Sequence, residues 1–149
     1  MLHKKYFLAT LIAGMVFILS ACGTPAPAIT VEGQWGRPSP MVATAGAFYM
    51  TIHNNGAESD KLVSVQSKAC GTAELHESYK KADGVMGMRP VAGGFIEIPA
   101  GGATELKVGG LHIMCINKLE DFVSGVKIPV TLKFEKFGDI SLEVEISEQ

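Results

Sequence analysis

The sequence has few of the residues and none of the patterns that most catalytic centres require. Its 149 residues include four histidines and three cysteines, and no serine lies in a nucleophile-elbow setting. The paired glycines fall between predicted strands with no helix after them, so they do not form a phosphate-binding loop. Basic patches with interleaved aromatic residues are also missing, and the formal net charge is −2. We therefore expect neither an enzyme nor a nucleic-acid-binding protein.

Long apolar runs are missing too, with one exception at the N-terminus. Lys4 and Lys5 precede an apolar run from Phe7 to Leu19, which is short for a membrane-spanning helix and typical of a signal peptide. The run ends in Leu19-Ser20-Ala21-Cys22, which resembles the bacterial lipoprotein processing box. In that box the cysteine receives a diacylglycerol and becomes the new N-terminal residue. We predict a signal peptide over residues 1–21 and a lipid on Cys22 that anchors an extracytoplasmic protein, periplasmic or at the outer cell surface.

The rest of the sequence predicts a short tether and one domain. Residues 22–28 are small residues and prolines, suited to a tether, and residues 29–149 are enough for a single domain with its own core. No long stretch has helical periodicity. Short segments instead alternate between apolar and polar residues and are separated by Gly, Pro, Asn or Asp, which favours an all-β sandwich or barrel.

Two hairpins are predicted from this alternation. One joins Phe48–Ile52 to Leu62–Val65 through the turn Asn54-Asn55-Gly56, and the other joins Ile128–Phe134 to Ile140–Ile146. Between the hairpins, further strands are predicted at Ala73–Glu77, Met86–Pro90, Ile96–Ile98, Thr104–Val108 and Leu111–Asn117.

Sulfur and imidazole side chains are concentrated in the middle of the domain. His112 and Met114 are two residues apart in one predicted strand, so both project from the same face, while Ile113 and Cys115 project from the other. His76 and Met88 lie in neighbouring predicted strands and complete a possible set of four donors. Taken singly, a methionine is more often a core residue and a strand histidine a surface residue, so this pattern alone is a weak signal.

A stronger signal is a resemblance that covers most of the domain. It rests on four segments in order along the chain: Ala73-Glu74-Leu75-His76-Glu77, Gly84-Val85-Met86-Gly87-Met88-Arg89-Pro90-Val91, Glu97-Ile98-Pro99-Ala100-Gly101-Gly102 and Gly109-Gly110-Leu111-His112-Ile113-Met114. These segments resemble the PCuAC family of periplasmic Cu(I) chaperones. The resemblance implies a cupredoxin-like β-sandwich with Greek-key topology and an open copper site at one end. The implied ligands are His76, Met88, His112 and Met114, with Met86 as the alternate to Met88.

The same resemblance implies a function and a partner. A monomer would carry Cu(I) and deliver it to a copper-accepting protein, either the copper subunit of cytochrome c oxidase or an assembly factor for it. This chain departs from the family in a longer interval between Met88 and His112, with the excess at the turn Ala92–Phe95. It also ends without the His- and Met-rich tail of some members, so a second copper site is not implied.

The donor types agree with this assignment. Thioethers and neutral imidazoles are soft or borderline donors that suit Cu(I), whereas Cu(II) prefers more nitrogen and oxygen. Thioethers need no deprotonation and are not lost to disulfide formation in an oxidising compartment.

Cys70 and Cys115 remain once Cys22 is assigned to the lipid. An even pair outside the cytoplasm predicts a disulfide, and the alternative is two buried free thiols. Three other functions stay open. These are a blue-copper electron-transfer protein that uses Cys115 with His76 and His112, a thiol-disulfide oxidoreductase, and a β-sandwich binding module without metal.

Overall fold

A computed structural model describes residues 28–40 and 42–148. The predicted signal peptide and Cys22 lie outside these residues. The described part contains ten strands and one 3₁₀ turn (Ala92–Gly94). The strands are β1 (Ile29–Gly36), β2 (Ala45–Asn54), β3 (Asp60–Gln66), β4 (Cys70–Lys80), β5 (Met86–Pro90), β6 (Ile96–Ile98), β7 (Gly102–Leu106), β8 (Leu111–Lys118), β9 (Lys127–Phe134) and β10 (Asp139–Ile146). The expectation of an all-β domain is confirmed, and nothing in the described part is a helix long and apolar enough to cross a bilayer.

The strands form one hydrogen-bonded ribbon in the order β5-β4-β8-β2-β1-β10-β9-β3-β6, while β7 pairs with the second half of β2. Only the pairing of β1 with β10 is parallel among these strands. The ribbon folds back so that β3 approaches β4 and β6 approaches β7. This produces a sandwich whose strand neighbours are often distant in sequence, as Greek-key connections require.

The C-terminal hairpin is the part of the fold that the sequence indicates most directly. β9 and β10 pair from Lys133 opposite Asp139 to Lys127 opposite Glu145. The turn contains Gly138 at a φ of 95°, a conformation that favours glycine. Ile128, Val130, Leu132 and Phe134 are all buried, so strict alternation correctly identified the core face of this strand.

The other predicted hairpin is wrong. β2 pairs with β1, β7 and β8, whereas β3 pairs with β6 and β9, so the two strands belong to different layers. Asn54 is buried, and its side-chain amide donates hydrogen bonds to the carbonyl oxygens of Glu58 and Ile98. Its side-chain oxygen accepts from the Gly56 amide. The Asn-Asn-Gly signal therefore marks a turn that crosses between layers, because local turn chemistry does not determine which strands pair.

Candidate metal centre

The strand registers place the four candidate donors on one face of the sheet. His76 in β4 lies directly opposite His112 in β8, and Met114 lies two residues further along β8. On the other side of β4, Met88 in β5 lies opposite Ser78, two residues from His76. Residues directly opposite in an antiparallel pair project from the same face, as do residues two apart in a strand. All four side chains therefore share a face.

The opposite face of these strands is the hydrophobic core. Ile113 and Cys115 are fully buried there, as is Phe48 on β2. The candidate donors lie within strands and not among the loops that end the sandwich. Strand spacing gives the face of a residue but not what covers that face, and the position of the site at one end of the sandwich stays a prediction.

Arg37–Pro40, which follow β1, lie over this face and form one side of an open cavity of about 300 Å³. The cavity is lined by three of the candidate donors, Met88, His112 and Met114, together with Tyr49, Ala45–Ala47 and Arg37–Pro40. His76 stands beside the cavity, with its ring centroid 5.9 Å from that of His112 and the rings edge to face. The wall formed by Arg37–Pro40 was not predicted from the sequence, since no local pattern ties this segment to the strands it covers.

Two imidazole nitrogens at this site have no hydrogen-bond partner. Among the described residues, Nδ1 of His76 and Nε2 of His112 are the only buried side-chain nitrogen or oxygen atoms that lack a hydrogen-bond partner. Buried polar atoms are nearly always paired, because leaving one without a partner costs about 1–3 kcal/mol. Two such atoms on facing residues are characteristic of a site that is completed by a ligand.

The other nitrogen of each ring explains why these atoms are free to bind a metal. Nδ1 of His112 lies 3.0 Å from the carbonyl oxygen of Gly110, and Nε2 of His76 lies 2.9 Å from Oε2 of Glu74. Both oxygens accept hydrogen bonds, so these nitrogens carry the protons, and in the neutral tautomer of each ring the opposite nitrogen carries the lone pair. Metal-binding histidines are oriented in this way by a carbonyl or carboxylate. Glu74 was missed in the sequence, although its spacing of two residues from His76 in a strand was the available signal.

Burial divides the site into a closed and an open side. His76 and His112 are only 7% and 3% exposed, whereas Met88 is 59% exposed. Met86 has a similar exposure of 56%, but it lies opposite Lys80 and does not line the cavity. The structure thus brings Met88, and not Met86, together with His112 and Met114.

Tyr49 is the aromatic residue that lines the cavity in the described part of the chain, and Trp35 packs against it. The Trp35 and Tyr49 rings are 4.6 Å apart between centroids, and the Tyr49 ring is 6.3 Å from that of His112. Burial raises the pKa of Tyr49 above its usual value, and the nearby Arg37 charge opposes this only in part. Tyr49 therefore remains a neutral phenol at ordinary pH, and it adds no negative charge to the cavity.

A disulfide joins the two histidine-bearing strands on their core face. Cys70 in β4 and Cys115 in β8 are bonded, with their Cα atoms 5.3 Å apart. Cys115 therefore points away from the candidate donors and has no free thiolate, which removes the sulfur ligand that a blue-copper centre needs. Cys70 is 7% exposed and Cys115 is fully buried, whereas the reactive cysteines of oxidoreductases are accessible.

The chemistry of the donor set is specific. The described residues contain no group of three or more His, Cys, Asp and Glu side chains placed to hold a metal ion. Besides His112, the candidate donors that line the cavity are the thioethers of Met88 and Met114. Zn²⁺ binds nitrogen, thiolate and carboxylate, while thioethers select soft ions such as Cu(I).

Comparison with known proteins places the chain in a family. Residues 29–146 match the model of the LpqE-like family, described as "Putative lipoprotein LpqE-like". The chain is also 30% identical over 151 aligned positions to "Putative lipoprotein Lxx21020" of Leifsonia xyli subsp. xyli (strain CTCB07), with 94% of this chain and 89% of the relative covered. The chain therefore belongs to the LpqE-like lipoprotein family.

Solved structures with the same fold include a PCuAC domain and a protein solved with Cu(I). The apo PCuAC domain from PmoF1 is 26% identical and superposes with a TM-score of 0.69, covering 82% of this chain and 95% of that domain. The CuI-DR1885 structure from Deinococcus radiodurans is 22% identical, with a TM-score of 0.61 and coverage of 88% and 84%. These likenesses confirm the expected cupredoxin-like sandwich.

Proposed function

We propose that this protein binds one Cu(I) ion and carries it to a partner outside the cytoplasm. The ligands are Nδ1 of His76, Nε2 of His112 and the sulfur atoms of Met88 and Met114. The observation that carries the proposal is the pair of buried imidazole nitrogens without partners, each on a ring oriented through its other nitrogen. Two neutral imidazoles and two thioethers make an uncharged shell that suits a soft monovalent ion.

The division of the site into a buried and an exposed side supports transport rather than permanent storage. The two histidines are buried and held by hydrogen bonds, so they form the fixed half of the shell. Met88 is exposed on a strand that is the edge of the ribbon. A partner's donor can replace its sulfur while the histidines still hold the ion, which allows transfer by stepwise ligand exchange.

Similar proteins support the same function. The PmoF1 domain is a PCuAC domain by name, and DR1885 has been solved as a Cu(I) complex. Because the likeness to DR1885 shows the fold alone, the ligand assignment depends on the geometry of this chain. Following the PCuAC resemblance, the recipient is the copper subunit of cytochrome c oxidase or an assembly factor for it, and the carrier acts as a monomer.

Anchoring of the domain follows from the N-terminal sequence. Residues 1–21 are proposed as a cleaved signal peptide, Cys22 as the lipid-bearing residue, residues 22–28 as the tether and residues 29–149 as the copper-binding domain. The matching family and the similar protein are both named as lipoproteins, which supports this assignment. β1 starts at Ile29, and Trp35, which pairs with Tyr49 at the cavity, is about 20 Å further along the strand. Fatty-acid labelling of the wild type, and none of Cys22→Ala, is the expected result.

Nuclear magnetic resonance of the imidazole nitrogens tests the copper assignment directly. In the metal-free protein, we expect His112 to carry its proton on Nδ1 and His76 on Nε2, as their acceptors require. One equivalent of Cu(I) should then shift Nε2 of His112 and Nδ1 of His76 and the methyl signals of Met88 and Met114.

His53 is the internal control for this experiment, because its ring also contacts a carboxylate, Glu32 at 2.7 Å. It lies outside the cavity, so its nitrogens should not respond to copper. One equivalent of Zn²⁺ should leave all three rings unchanged, since thioethers are poor zinc ligands. Protons found on the opposite nitrogens, or no response to Cu(I), would contradict the proposal.

A further inference from the structure

Lys118, at the end of β8, is a buried cation that the copper site does not use. The residue is 8% exposed, and its ammonium group has three oxygen acceptors. It donates to the carbonyl oxygen of Ser39 at 2.7 Å, to the Ser39 hydroxyl at 3.0 Å and to the carbonyl oxygen of Pro40 at 3.0 Å. An ammonium group has three protons, so its donor capacity is filled. All three acceptors belong to the wall of the metal cavity.

The wall depends on this cation because it has few hydrogen bonds of its own. Pro38 and Pro40 have no amide proton, so the segment cannot pair as a regular strand. Apart from Lys118, the Ser39 amide donates to the carbonyl oxygen of Phe122 at 2.9 Å and the Ser39 hydroxyl donates to that of Ala45 at 2.9 Å. The Arg37 amide donates to the carbonyl oxygen of Ala47 at 3.1 Å, and the Pro40 carbonyl oxygen also accepts from the Ala43 amide at 2.9 Å. Removing the ammonium group would leave the carbonyl oxygens of Ser39 and Pro40 without this donor.

Lys118 also links the wall to the ligand strand. Its backbone amide donates to the carbonyl oxygen of Thr44, and its Nζ lies 5.1 Å from the centre of the Phe122 ring. Met114 is four residues earlier in the same strand, and it lines the same cavity as the segment that Lys118 holds. The wall and one proposed copper ligand are therefore fixed to each other through β8.

We propose that Lys118 is a positioning residue of the copper cavity, which holds the Ser39–Pro40 wall closed and so slows the release of Cu(I) to competing ligands. The inference rests on the proposed function. With the wall closed, an incoming donor approaches from the side of the exposed Met88. When the wall is loosened, the side of Met114 and His112 is also accessible, while all four donors are still present. Release should then become faster and less selective.

The test compares the full-length protein with Lys118→Met, which keeps the length of the side chain and removes the charge. Each is loaded with one equivalent of Cu(I) and mixed with excess bicinchoninate in a stopped-flow instrument. We expect about 10-fold faster transfer of copper from the variant, the lower end of the range for groups that support metal ligands. X-ray absorption should show the same nitrogen and sulfur shell in both proteins. Lys118→Arg should restore much of the slow rate.

Lys133→Met is the matched control, because Lys133 is an exposed lysine on β9 in the other layer. It should transfer copper at the wild-type rate. Equal rates for wild type and Lys118→Met would overturn the inference. So would a faster rate with a changed metal shell, since that would mean lost ligands rather than a loosened wall.

A copper-free measurement separates this inference from the copper assignment. The Ser39 amide donates from the wall to Phe122, and the Ala43 amide donates to the Pro40 carbonyl oxygen in the wall. Hydrogen exchange at both amides should be faster in Lys118→Met than in the wild type. Ser39→Ala removes the hydroxyl acceptor and leaves the Lys118 ammonium its two carbonyl acceptors, so it should give a smaller change of the same sign even if Lys118→Met folds poorly. Unchanged exchange in both variants overturns the role of Lys118. Faster exchange in Lys118→Met, together with a wild type that fails to bind Cu(I), contradicts the proposed function alone.

Discussion

His112→Ala is expected to weaken Cu(I) binding by more than about 100-fold, and Met114→Ala should have an effect of similar size. Loss of a group that merely orients a ligand costs about 10–100-fold in metal affinity, so loss of the ligand itself should cost more. Both residues lie on one strand face and line the cavity, and either substitution leaves three donors. Competition titration against a chromophoric Cu(I) chelator measures the change.

The partner histidine should behave in the same way. His76→Ala removes the donor opposite His112 and leaves the Glu74 carboxylate without its hydrogen bond. His53→Ala is the matched control, since it removes a strand histidine with a carboxylate partner at a position outside the cavity. We expect wild-type affinity for this control. If none of the substitutions at His76, His112 or Met114 lowers affinity below that of the control, the protein does not bind Cu(I) at this site.

The two neighbouring methionines of β5 give a closely matched comparison. Met86 and Met88 project from the same strand face, and their exposures of 56% and 59% are nearly equal. They differ in that Met88 alone lines the cavity. Met88→Leu should therefore weaken Cu(I) binding, and Met86→Leu should not, at little cost to folding in either case. The reverse result would assign the ligand to Met86.

The faces of strands could be predicted from the sequence because side-chain direction repeats every two residues. This is why the structure has His112 and Met114 on one face of β8 and Ile113 and Cys115 on the other, as predicted. The bounds of β5 were predicted correctly, because glycines and prolines around it stop the alternation at definite residues. That His76, Met88 and His112 come together was predicted from the family resemblance alone, because spacing along the chain does not show which strands pair.

Contacts between segments that are distant along the chain could not be predicted from the sequence, for the same reason. The turn at Asn54 was recognised, but the strands that follow it pair elsewhere, because pairing is decided by burial across the whole sandwich. The wall formed by Arg37–Pro40 and its tie to Lys118 joins segments almost 80 residues apart. From the sequence alone, Lys118 is expected to be a solvated surface charge. Only the fold shows that its ammonium group is buried with its hydrogen-bond acceptors.

Removing the disulfide should lower the free energy of unfolding by about 4 kcal/mol. Cys70 and Cys115 are 45 residues apart, and the chain-entropy model gives this value for a closed loop of that length. The bond joins β4 to β8, whose pairing places His76 opposite His112. Urea unfolding of the double variant Cys70→Ala, Cys115→Ala against the wild type measures the loss. The double variant avoids a single unpaired thiol and keeps small apolar side chains at both core positions.

The matched control is reductant, which should lower the stability of the wild type and leave that of the double variant unchanged. Mass spectrometry of unreduced peptides should also find Cys70 and Cys115 linked. If both thiols are alkylated in the native protein isolated under oxidising conditions, the bridge is wrong. Even then Cys115 would be a poor copper ligand, because it lies on the core face of β8, opposite His112 and Met114. Weaker Cu(I) binding in the double variant would therefore report on the alignment of β4 with β8 and not on the loss of a sulfur donor.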